Sequence, residues 1–123
     1  MNTAKGESAV SVFSKDCPSR RVLLDVTGRW GILVLSALHG RECRFNALRR
    51  HIEGISEKML SQTLYTLRRD GLVNRQVEAT IPPKVTYSLS PLGTVVARRA
   101  VELVALLEAE VGRFEEAWEV FEE

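Results

Sequence analysis

The sequence predicts a mainly α-helical chain interrupted once by a small β-hairpin. Three observations carry this. Apolar residues recur three and four apart over most of the chain, the period of a helix face. After Gly71 the period changes to alternation for about one hairpin's length. Glycine, proline and serine fall at the junctions, where helices start and stop. The chain has 123 residues, 45% of them hydrophobic and 27% charged. That suits one domain with a filled core.

The stretch CPSRRVLLDVTGRWGILVLSALHG opens the ordered part. Pro18 fits the first turn of a helix, because a helix start has no use for its missing N–H. Val22, Leu23 and Val26 give that helix an apolar side, and Thr27–Gly28 breaks it. Trp30, Leu33, Val34, Ala37 and Leu38 then recur at helical spacing. This second helix is apolar nearly all round and should be central. Gly40 is its expected stop. Trp30 is expected in the core.

Phe45, Leu48 and Ile52 mark a short amphipathic helix that Gly54 ends. Ser56 can cap the next helix with its hydroxyl. Ile55 and Leu60 stand where a hydrophobic staple would fix the angle of entry. The helix from Ser56 to about Asp70 divides cleanly. With Lys58 at 0° and ~100° per residue, Gln62, Tyr65, Arg69 and Ser61 fall at ~40°, ~340°, ~20° and ~300°. Leu60, Leu64 and Leu67 fall at ~200°, ~240° and ~180° on the same ~100° step. One face is leucine. The other is polar and almost free of acid, with Glu57 off to the side.

Val73, Val77, Val85, Tyr87 and Leu89 predict two strands. Pro82 and Pro83 between them cannot continue a ladder, since proline lacks the donor. Arg75 lies on the first strand and Lys84 near the tip. Ser90 and Pro91 then open the last helix as cap and first residue. Its seam runs through Val96, Ala100, Leu103, Leu107, Val111, Phe114, Trp118 and Phe121. Roughly 30 helical residues would span about 45 Å, more than so small a body covers. Either the helix folds back or frays near Gly112, or a second copy covers the seam. Three large aromatics near the C-terminus favour the second copy. The predicted organisation is a mobile polar arm over 1–16, a domain over 17–110, and an acidic extension over 111–123.

Charge follows the same division. Residues 1–90 carry 14 Lys and Arg against 8 Asp and Glu, whereas residues 91–123 carry 3 against 8. A basic body with an acidic tail suits a polyanionic partner. No apolar run approaches the ~18 residues of a membrane span. The N-terminal stretch lacks a signal peptide's apolar region. A cytoplasmic protein without membrane contact is the expectation. No nucleophile–base pair, glycine-rich phosphate loop or carboxylate pair in an apolar run occurs, so no enzyme, catalytic residue or cofactor is predicted. Cys17, Cys43, His39 and His51 match no closed zinc pattern, so no metal site is predicted.

A turn between two short amphipathic helices is a helix-turn-helix. A hairpin directly after the second helix makes it a winged helix. That geometry sends the second helix into a major groove of double-stranded DNA, N-terminal half towards the base edges. Ser56, Lys58, Ser61 and Gln62 are the expected base readers. Tyr65, Arg68, Arg69, Arg75 and Lys84 are the expected backbone contacts. Tyr65 could equally pack on the wing, and a solvated helix face is the bland alternative for the whole set.

The blocks CPSRRVLLDVTGRW, RFNALRRHIEGISEKMLSQTLYTLRRDGLV and PPKVTYSLSPLG together resemble the HxlR family of bacterial winged-helix transcriptional regulators. The resemblance covers about residues 17–110. It implies a homodimeric DNA-binding protein with a recognition helix at 56–70 and a wing at about 72–89. It also implies dimerisation through the first and last helices. The seam residues Leu103, Leu107, Val111, Phe114 and Trp118 are the expected interface. Some family members sense oxidants or electrophiles through a cysteine before the first proline, the place of Cys17. Arg20, Arg21 and the helix start would activate that thiol; an inert half-buried cysteine is the plainer expectation. Cys43 is expected in a linker, and a Cys17–Cys43 pair stays open. The alternatives are a winged-helix module that binds another protein, or a small-molecule-responsive regulator without thiol switching.

Overall fold

The computed structural model describes residues 11–122. In chain order it contains α1 (Pro18–Thr27), α2 (Gly31–Leu38), β1 (Cys43–Arg44), α3 (Phe45–His51), α4 (Glu57–Arg69), β2 (Val73–Glu78), β3 (Lys84–Leu89), α5 (Pro91–Ala109) and α6 (Val111–Glu122). Most of the arm predicted over 1–16, and Glu123 of the predicted extension, lie outside the described residues. Residues 11–16 form turns, with the Ser14 amide donating to the Ser11 carbonyl at 3.0 Å and the Cys17 amide to Ser14 at 3.1 Å.

The core is leucine from four segments. Leu35 and Leu38 of α2, Leu48 of α3, Leu60, Leu64 and Leu67 of α4, and Leu72 are all under 2% exposed. Helix α2 is central, as its all-round apolarity predicts: five of its eight residues are buried. Trp30 is half-buried at the edge of this cluster.

The sheet has three antiparallel strands in the order β1-β3-β2. The hairpin register runs from Val73 opposite Leu89 to Glu78 opposite Lys84. The short strand β1 is a departure from the sequence reading. Cys43 pairs with Tyr87 and Arg44 with Thr86, so Cys43 is a buried strand residue, not part of a linker. Two residues are too few to show alternation. What makes them a strand is the exposed edge of β3.

Helix α4 ends as its sequence requires. Gly71 has φ of +78°, a left-handed conformation that costs glycine little. The Leu72 amide reaches the Leu67 carbonyl at 2.9 Å and the Gly71 amide reaches Arg68 at 3.0 Å. These are the two bonds of a Schellman motif, and buried Leu72 supplies its apolar contact with Leu67. Ser90 ties this end to the next helix. Its hydroxyl donates to the Gly71 carbonyl at 2.6 Å and accepts from the Gly93 amide at 2.9 Å. Gly93 must be glycine here, because a Cβ would run into the carbonyl of Leu72.

The last helix is not continuous. Glu110 sits at φ −100°, ψ 10°, and the amides of Arg113 and Phe114 both converge on its carbonyl at 3.0 and 3.4 Å. Gly112, beside it, weakens helix propensity by about 1 kcal/mol. The break is local, since the Glu110 amide still bonds Leu106 at 3.1 Å and an Arg113–Glu110 ion pair of 2.9 Å spans it. No residue of α6 is buried. No helix among the described residues is long and apolar enough to cross a membrane.

Candidate nucleic-acid interface

The candidate interface is built on α4. Ser56 caps it from extended backbone, its hydroxyl accepting from the Met59 amide at 3.0 Å. Ile52 and Ile55 in the preceding turn are both 6% exposed, so the turn is anchored in the core on either side of Gly54. Leu60, Leu64 and Leu67 fill the inner face. The outer face follows by exclusion: Ser56, Lys58, Ser61, Gln62, Tyr65 and Arg68 are exposed. Glu57 stands in the first turn, where a negative charge complements the helix dipole.

Tyr65 is 63% exposed. It borders a hollow at the junction of α4 and β2 together with Arg68, Arg69, Val73, Asn74 and Arg75. The wing's two cations are separated by the register. Arg75 stands opposite Tyr87 on the ribbon face that carries Val73 and Val77, whereas Lys84 stands opposite Glu78 on the other face. Arg75 therefore belongs to the hollow beside α4, and Lys84 to the outer side of the tip.

Arg69 has a partner that its sequence position does not announce. Its Nη2 lies 3.2 Å from Asp25 Oδ2 on α1, and its Nε 3.7 Å from Asp70 Oδ1. The Asp70 side chain is only 6% exposed, and its Oδ2 is buried without a hydrogen-bond partner among the described residues. Burial first, and then the neighbouring Asp25 carboxyl, raise its pKa above 3.8, partly offset by Arg69 and Arg21. This acid pair with its arginine links α1 to the end of α4. Asp25 and Arg69 are 44 residues apart, so only the fold reveals the link.

Both cysteines are free thiols and buried. Cys17, at the N-cap of α1, is 3% exposed, deeper than a half-buried residue. The seam residues Leu103, Leu107, Val111, Phe114 and Trp118 are between 38% and 63% exposed, and on α1 Leu23 and Leu24 are 43% and 61% exposed. His51 is at the surface. No group of three or more His, Cys, Asp or Glu that could hold a metal occurs among the described residues.

The family model for the HxlR-like helix-turn-helix matches residues 25–114. The uncharacterized HTH-type transcriptional regulator YtfH of Escherichia coli K12 is 48% identical over 98 residues, covering 80% of this chain and 78% of that protein. The solved structure of a transcriptional regulator, ytfH of Salmonella typhimurium, superposes with a TM-score of 0.82 at 43% identity, covering 89% of this chain and 97% of that one. The redox regulator HypR in its oxidized form superposes with a TM-score of 0.70 at 31% identity, covering 76% and 96%.

Proposed function

The chain belongs to the HxlR-like helix-turn-helix family of transcriptional regulators, and from that premise we propose that it is a homodimer reading a pseudo-palindromic DNA operator. The observation that carries the proposal is the outer face of α4. It is exposed from Ser56 to Arg68, nearly free of acid, and aimed by a buried leucine face and a serine cap. Ser56, Lys58, Ser61 and Gln62 are the base readers. Tyr65, Arg68, Arg75 and Lys84 take the backbone, with Arg69 at the margin because Asp25 already holds it. Two copies joined through α1, α5 and α6 would present two such helices to half-sites about 34 Å apart or a multiple of that.

The test is a mobility-shift titration with duplex from the region upstream of its own gene. Binding that weakens steeply with salt is expected, since phosphate neutralisation releases counterions. Undetectable binding even at low salt would sink the proposal and leave the protein-interaction module standing.

Thiol sensing at Cys17 is a second reading, supported by its place before Pro18 and by the redox regulator among the structural relatives. Its burial adds a condition: the structure around Cys17 must open before an oxidant reaches the sulfur. Diamide should then release DNA slowly from the native chain and not at all from Cys17→Ser. Equal sensitivity of the two would remove Cys17 from the mechanism.

A further inference from the structure

The turn between α1 and α2 brings a cation to α4 that the helix-face pattern does not contain. Arg29 is exposed, and its guanidinium lies over the Trp30 ring at 5.6 Å from the centroid. It makes no ion pair or side-chain hydrogen bond with a described residue. Arg29, Trp30 and the end of α1 share a groove with Met59, Gln62, Thr63 and Thr66 of α4. On the helical wheel, at ~100° per residue from Lys58, these four fall at ~100°, ~40°, ~140° and ~80°. The wing hollow takes Tyr65 and Arg68, at ~340° and ~280° by the same ~100° step. Arg29 and the wing thus border opposite flanks of the base-reading face.

We propose that Arg29 is a DNA phosphate contact, so that the recognition helix is held between two cationic flanks, Arg75 and Arg68 on one side and Arg29 on the other. This rests on the DNA-binding reading given above. Three features favour a phosphate over bulk water. The guanidinium presents a planar fork that matches phosphate oxygens. Stacking on Trp30 limits its rotamers before binding, which lowers the entropy lost on contact. The one carboxylate in the groove, Asp25, is engaged by Arg69, so it leaves the charge of Arg29 unpaired. Arg69, which shares the polar wheel face with Lys58, is bound within the protein. Arg29, which the wheel omits, is available.

The experiment compares the full chain with Arg29→Gln and Arg29→Lys over a salt series. Two duplexes of equal length are used, one from upstream of its own gene and one of random sequence. Arg29→Gln should weaken both alike and lower the slope of log K against log salt by about 0.9 per subunit. Arg29→Lys, which keeps the charge, should restore the slope. Circular dichroism melting should be the same for all three, since Arg29 is exposed. An unchanged slope in Arg29→Gln, a loss on one duplex alone, or no restoration by lysine would overturn the proposal while leaving DNA binding intact. A native chain that binds neither duplex at low salt would overturn the DNA-binding reading itself.

Discussion

Asp70 shows how one residue can couple the proposed recognition helix to pH. It follows the last residue of α4, with its buried carboxyl beside the Arg69 that also holds Asp25. Two carboxylates in contact resist joint ionisation, and protonated Asp70 can donate a hydrogen bond that ionised Asp70 cannot. Its folded pKa is therefore raised above 3.8, by burial first and Asp25 next, and Arg69 and Arg21 only partly compensate. A raised acid favours the folded state while it is protonated. That contribution is fully present below pH 3.8 and is lost as pH rises through the raised value. Asp70→Asn keeps a donor towards Asp25 and removes the charge. The variant should melt near the native temperature at pH 4 and above it at pH 7, by a few degrees if one hydrogen bond of about 1 kcal/mol is retained. A melting difference that does not change with pH would show that Asp70 and Asp25 do not share a proton.

At the scale of elements, the proposed recognition of DNA is divided between α4 and the wing. Lys58 and Gln62 stand in the first two turns of α4, the part that would approach base edges in the proposed complex. Lys84 stands at the wing tip, on the face turned away from Val73 and Val77. Lys58→Ala or Gln62→Ala should change the ranking of operator variants, each by about 1–3 kcal/mol of discrimination. Lys84→Ala should weaken all sequences alike and lower the salt slope by about 0.9 per subunit. Uniform loss from all three in a binding-site selection would contradict the division. Most of the helical arrangement was legible in the residues. The leucine stripe placed α4, Ser56 and Ser90 marked two helix starts, and the change of period marked the hairpin. What was not legible depends on partners distant in sequence. Strand β1 exists because β3 offers it an edge, and Cys43 meets Tyr87 only once the hairpin has folded back past α3. The Asp25–Arg69 pair and the Arg29 groove form when α1 and the following turn come to rest beside α4, which no local period encodes. The break at Glu110 had one local sign, Gly112, and that sign alone did not separate fraying from a turn back.

At the scale of the whole molecule, the basic body and the acidic α6 are kept apart along the chain, and an apolar seam joins them. The buried core ends within α5, where Gly93, Ala97 and Ala100 are the buried residues. Beyond it Leu103, Leu107, Val111, Phe114 and Trp118 all show more than a third of their surface. Contiguous apolar exposure of this kind marks an association surface, and a second copy of the same seam is the partner that the proposed two-fold operator requires. Because no residue of α6 is buried in its own chain, a charge placed there should leave the fold intact and act on assembly alone. Trp118→Glu should reduce the mass seen by light scattering at micromolar concentration from dimer to monomer, with the melting of the monomer core unchanged. It should also weaken binding to a two-half-site duplex by roughly 10²–10⁴-fold, since linked half-sites bind with an effective concentration that separate monomers lack. Binding to a single half-site should hardly change. A native chain that already scatters as a monomer would remove the dimer from the proposal. A variant that keeps both the dimer mass and the two-site affinity would move the interface off α6, onto α1 and the outer face of α5.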